Sequence, residues 1–291
     1  MPEDERRTVL QEVQDLLDLG TAQGVPVSEL AAGVEDPKTA ARYAVALAGL
    51  RLSRERAVFL ESLLTGRAVR AFLEMEARRT VTPLRAALAE LPPDIWKKLQ
   101  ISWPELSPAQ RLSALQRFVS WLAPACGMKQ VSLRPYADYR AEGMERSLAF
   151  VLPHIDESVR RSLTSDAVQG TDSIFLGPAS LNGDTAGEVL AAAVLEEMLH
   201  LRQRRARAEF NAGVTPRDKD ERIRLMLLSA NAVEYYPAAA VRGAYDPARF
   251  QRHLLQPIEF ETKVVLYVLA SRTRFLRRAT LHTVNGHDIF E

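Results

Sequence analysis

Three ionisable residues interrupt an otherwise apolar stretch of this chain. From Val189 to Leu201 nearly every position is apolar, and only Glu196, Glu197 and His200 break the run. On a helix, Glu196 and His200 are four apart and Glu197 and His200 three apart, so two carboxylates and an imidazole converge on one patch. Such a trio suits a divalent metal ion or a proton-transfer site. The plainer reading is a core histidine bonded to one of the two glutamates, because a buried ionisable group needs a partner.

The element that must carry these residues is a helix from Thr185 to about Glu209. Thr185 followed three residues later by Glu188 is a capping box that starts it. Ahead of it, Gln130 to Pro135, Ser147 to Leu152 and Ser173 to Gly177 are short, β-rich and bounded by turn formers, and they read as three strands. Strand, strand, strand, helix is an α+β order rather than a doubly wound sheet. Residues 1 to about 128 read as successive helices, with Asp36-Pro37, Thr82-Pro83 and Ser107-Pro108 as starts and Ser53 as another. Leu91, Ile95, Trp96, Trp103, Phe118, Trp121 and Leu122 supply the large side chains of that region as core. Later helices start at Thr215-Pro216, reaching about Val241, at Asp246-Pro247, and at Gln256-Pro257, reaching about Ala279. The tail carries a turn signal at Asn285-Gly286.

The 291 residues, 47% hydrophobic and 26% charged, describe a globular chain with ample length for a core. The net charge of +1 gives no global pull toward nucleic acid or membrane. A single cysteine, Cys126, excludes an intramolecular disulfide and a Cys-rich metal site. The charged N-terminus does not read as a signal peptide, and no apolar run approaches the roughly 20 residues of a membrane helix. A cytoplasmic location, or delivery without a cleaved signal peptide, is the expectation. No Gly-rich phosphate loop, nucleophile elbow or catalytic Cys/His pair is present, so dinucleotide, kinase and serine-hydrolase chemistry have no support.

Strands followed by LNGDTAGEVLAAAVLEEMLHLRQ make residues 130 to 275 similar to the zincin metallopeptidases, in particular the short-helix forms associated with bacterial toxins and phage proteins. In that family an edge strand and a loop precede a helix bearing His-Glu-x-x-His and then a Gln. The two histidines bind zinc and the glutamate activates the metal-bound water. The resemblance makes Glu197 the general base and His200 a Zn2+ ligand, while Glu196 stands where the first histidine would be. A carboxylate can also ligate zinc. The family's third ligand is a downstream helical glutamate. Gln256-Pro257-Ile258-Glu259-Phe260-Glu261-Thr262 matches that segment best, with Asn231-Ala232-Val233-Glu234 second, so the order of preference is Glu259, Glu261, Glu234.

The expected architecture is therefore predominantly helical α+β. A helical domain spans 1–128, a zincin-like domain with a small sheet packed on the active-site helix spans 129–279, and 280–291 form a tail. The replaced histidine predicts a degenerate site with a non-catalytic binding or structural role. The alternatives are an active metallopeptidase working through Glu197, and a helical interaction protein with no metal-site ancestry. A protein partner or peptide substrate is expected. Nucleic acid is not, because Arg202, Arg204, Arg205, Arg207 and the later run Arg272, Arg274, Arg277 and Arg278 follow helix ends, where they complement the dipole. A ferritin-like carboxylate site needs Glu-x-x-His twice, and none of His154, His253, His282 or His287 has a Glu three residues earlier. His282 and His287 read as ordinary exposed histidines.

Overall fold

The computed structural model describes residues 1–135, 149–151, 172–177, 180–234 and 247–272. These are predominantly helical with one small sheet, α+β at the coarse level. The chain divides into two compact units, each drawn from two segments: Met1–Arg79 with Arg205–Val264, and Thr80–Arg204 with the chain from Val265. The predicted tail turn, the Arg274 to Arg278 run, His154, His282 and His287 lie outside the described residues.

The first unit begins with α1 (Glu3–Gln23), α2 (Val27–Ala32), α3 (Pro37–Leu47) and α4 (Arg54–Leu64). Asp36 caps α3 by accepting from the Lys38 and Thr39 N–H groups, and Ser53 caps α4 by accepting from Arg56. Val9, Val13 and Leu17 recur every fourth residue on α1 and are buried, as are Ala40, Ala41 and Ala44 on α3, whose small side chains let neighbouring helices approach closely. Helix α9 (Lys219–Val233) packs on α3 and carries the buried Leu225, Leu227 and Leu228. It begins three residues later than Pro216 suggests, because Asp218 accepts from the Glu221 N–H and becomes the cap. Short α10 (Pro247–Leu255) and the first half of α11 (Pro257–Arg272) complete the unit.

Helix α5 (Arg67–Ala89) runs through Pro83. The start predicted at Thr82-Pro83 is therefore not a boundary. One missing backbone donor costs the helix a hydrogen bond, and Val81, Leu84 and Leu88, all buried, hold the chain helical around it.

In the second unit, α6 (Pro93–Gln100) packs on α7 (Pro108–Leu122), which opens with a full capping box between Ser107 and Gln110. Helix α7 lies against β1 (Val131–Pro135), where Gln116 donates to the Val131 carbonyl and accepts from the Leu133 N–H, both at 2.8 Å. Strands β2 (Ala149–Val151) and β3 (Asp172–Leu176) complete a sheet of order β1-β3-β2, with β1 parallel and β2 antiparallel to β3. β1 and β2 fall within the predicted stretches, and β3 begins one residue before its own.

Helix α8 (Gly187–Asn211) carries Glu196, Glu197 and His200, and its start is anchored by side chains from earlier in the second unit. Fully buried Trp103 donates its indole N–H to the Thr185 carbonyl at 2.8 Å. Arg111 donates to the carbonyls of Trp103, Pro104 and Leu181 at 3.1, 3.0 and 2.8 Å, and its guanidinium stands 5.7 Å from the Trp103 ring centre. A Cβ at Gly187 would overlap the Leu99 carbonyl oxygen and the Trp103 ring. The helix starts after Ala186, whose carbonyl accepts from Leu190, and not directly after Thr185. Trp103, read from sequence only as core, also positions the helix of interest.

Among the described residues, no helix is long and apolar enough to cross a membrane.

Candidate metal centre

One ligand atom from each of Glu196, His200 and Glu259 lies within 4.8 Å of the other two. His200 and Glu259 are buried, at 7% and 4% exposure, and Glu196 is half-buried. Ligands about 2.1 Å from a tetrahedral ion stand roughly 3.4 Å apart, closer than the 4.8 Å that bounds this group. Two carboxylates held this close repel each other unless a cation or a shared proton intervenes. The donor set fits a divalent cation: two negative oxygens and one imidazole, with little solvent access.

The imidazole has a further contact that matters for ligation. His200 Nδ1 lies 3.2 Å from Gln203 Oε1, and Gln203 is itself buried. With the proton on Nδ1, the ring donates to Oε1, which leaves the Nε2 lone pair for an ion and fixes the ring plane. Gln203 is the glutamine that follows the histidine in LHLRQ, noted in the sequence as part of a resemblance but given no role there.

The other candidates are placed differently. Glu261 Oε1 accepts from Arg224 Nε at 2.6 Å in an ion pair with side chains only 3% and 7% exposed. Glu234, at the end of α9, accepts from the Gly49 N–H at 3.0 Å, where Gly49 has a positive φ of 75°. Neither stands in the Glu196, His200, Glu259 group. Glu197 is half-buried, one turn before His200, with its Oε2 atom shielded from solvent.

Two features of the site have no signal in the spacing of the motif. His253 on α10 places Nε2 3.8 Å from Glu259 Oε2. Asn231 on α9 and Gln256 are both fully buried and bonded to each other at 2.8 Å. The clue available in the sequence was the cluster of polar residues, His253, Gln256 and Glu259, spaced three apart across the Pro257 break.

The basic residues after the motif are engaged within the protein. Arg205 pairs with Glu209 at 3.0 Å, and Arg207 donates to the Leu228 carbonyl at 3.3 Å. Cys126 is buried, which pushes its thiol up to about 11 and leaves it a poor ligand or nucleophile at neutral pH.

Comparison of the chain with protein-family profiles, with curated proteins and with solved structures finds no match.

Proposed function

We propose that this chain is a zincin-like protein in which Glu196, His200 and Glu259 hold one divalent metal ion, and that its role is non-catalytic binding of a protein or peptide partner. The observation that carries the reading is that one ligand atom of each residue lies within 4.8 Å of the other two. A bound ion would neutralise the paired carboxylates and couple metal uptake to stability, as in structural metal sites. The ion implied by the resemblance is Zn2+, and the same donors accept other divalent ions of comparable size.

The donor set is also the argument against catalysis. A metal with imidazole ligands acidifies bound water through its net positive charge, and each carboxylate that replaces an imidazole reduces that charge. The second reading is a metal-dependent peptidase in which Glu197 takes the proton from water. Its support is the position of Glu197 one turn before His200, with one carboxylate oxygen withdrawn from solvent.

Zinc-loaded protein assayed on unstructured polypeptide substrates separates the two. The expected result is no turnover, with Glu197→Gln retaining metal and partner binding. Turnover that vanishes in Glu197→Gln while zinc is retained would establish the peptidase and overturn the non-catalytic reading.

A further inference from the structure

His253 faces the proposed ligand Glu259, and what it does there depends on which ring nitrogen bears the proton. With the lone pair on Nε2 it would be a further metal ligand; with the proton there it is a hydrogen-bond donor to the carboxylate. A chain of hydrogen bonds starting at the main chain fixes the answer. The Ile258 N–H, in the first turn of α11, can only donate, so the atom 2.9 Å from it on Asn231 is the carbonyl Oδ1. Asn231 Nδ2 then donates to Gln256 Oε1 at 2.8 Å. That leaves Gln256 Nε2, again only a donor, 3.1 Å from His253 Nδ1. Nδ1 must accept, because a proton on it would set two donors against each other. With Nδ1 accepting, the N–H of the ring lies at Nε2, the nitrogen 3.8 Å from Glu259 Oε2.

We propose that His253 is a positioning residue for Glu259 rather than a metal ligand. It is held by Asn231 and Gln256 as an Nε2–H donor that takes one carboxylate oxygen and turns the other toward the ion. The separation of 3.8 Å exceeds a hydrogen bond, and a movement of about 1 Å by the Glu259 side chain closes it to about 2.9 Å. The device resembles outer-shell partners that orient metal ligands, whose loss typically weakens metal binding by about 10- to 100-fold. The same network caps α11 through Asn231, which satisfies one of the backbone donors that its first turn leaves free. Ligand orientation and helix start are thereby set by one network.

This inference rests on the metal reading, and two measurements keep them apart. Nitrogen-15 NMR of the imidazoles in the metal-free, full-length chain should show His253 protonated at Nε2 and unprotonated at Nδ1; the opposite tautomer, or a doubly protonated ring at neutral pH, overturns the proposal whether or not metal binds. Zn2+ affinity by chelator competition should then fall about 10- to 100-fold in His253→Ala. It should recover most of that loss in His253→Gln, whose amide offers an N–H donor at similar reach. Affinity unchanged in His253→Ala, or equally weak in both variants, overturns the positioning role. Absence of Zn2+ binding by the wild type defeats the metal reading and the positioning role together, while the tautomer result still reports on the network.

Discussion

Arg224 Nε donates to Glu261 Oε1 at 2.6 Å, and both side chains are almost wholly withdrawn from solvent. This pair distinguishes two glutamates that are only two positions apart on α11. Glu259 joins Glu196 and His200, whereas Glu261 neutralises a buried guanidinium. Removing one partner of a buried pair leaves an uncompensated charge, at a cost of about 3–5 kcal/mol. Glu261→Ala should therefore lower unfolding free energy by about that amount in denaturant titrations. A loss below about 1 kcal/mol, as for a surface pair, would contradict the assignment.

Gly187 provides a test of how α8 is positioned. In a helix interior, replacing Gly by Ala ordinarily stabilises by up to about 1 kcal/mol. Here the added methyl meets the Leu99 carbonyl and the Trp103 ring, so Gly187→Ala should instead destabilise by about 1–3 kcal/mol. A measured gain in stability would mean that the helix start is not packed in this way.

Much of the fold was legible locally, because caps are short-range chemistry. Asp36, Ser53 and Ser107 each mark a helix start by spacing alone, and each accepts the expected backbone bonds. Thr82-Pro83 carries the same local signal yet lies inside α5, where burial of Val81, Leu84 and Leu88 outweighs the lost donor. The Thr185 carbonyl accepts a tertiary bond from Trp103, which has no local sequence signature.

The site divides along the same line. The pairing of Glu196 with His200 follows from four-residue helical spacing, and it was legible. The preference for Glu259 over Glu261 came from the resemblance and not from spacing, since positions two apart point to nearly opposite sides of a helix, and the buried pair with distant Arg224 occupies Glu261. His253 was passed over because its relation to Glu259 crosses the break between two helices, where no fixed spacing applies.

Glu76 gives a prediction in pH. It is buried on α5 beside Arg79, which also bonds Asp220 at 3.2 Å. Burial pushes the Glu76 carboxyl above its ordinary value of 4.5; Arg79 opposes this in part, and Asp220 and Asp218 add to it. The folded state thus keeps the proton at pH values where the unfolded chain has lost it. That contribution to stability is complete below about 4.5 and is lost as pH rises through the higher folded value. Glu76→Gln should remove this component, making unfolding free energy fall less steeply with pH just above 4.5. Parallel profiles for the two proteins would count against it.

The central claim is the metal centre, and the most direct measurement is metal content by mass spectrometry after equilibration of the full-length protein with Zn2+ and dialysis. The account predicts close to one zinc per chain in the wild type and in Glu234→Gln, whose carboxylate serves Gly49 instead, and none in His200→Ala. No zinc in the wild type, or the same zinc in His200→Ala, would contradict it.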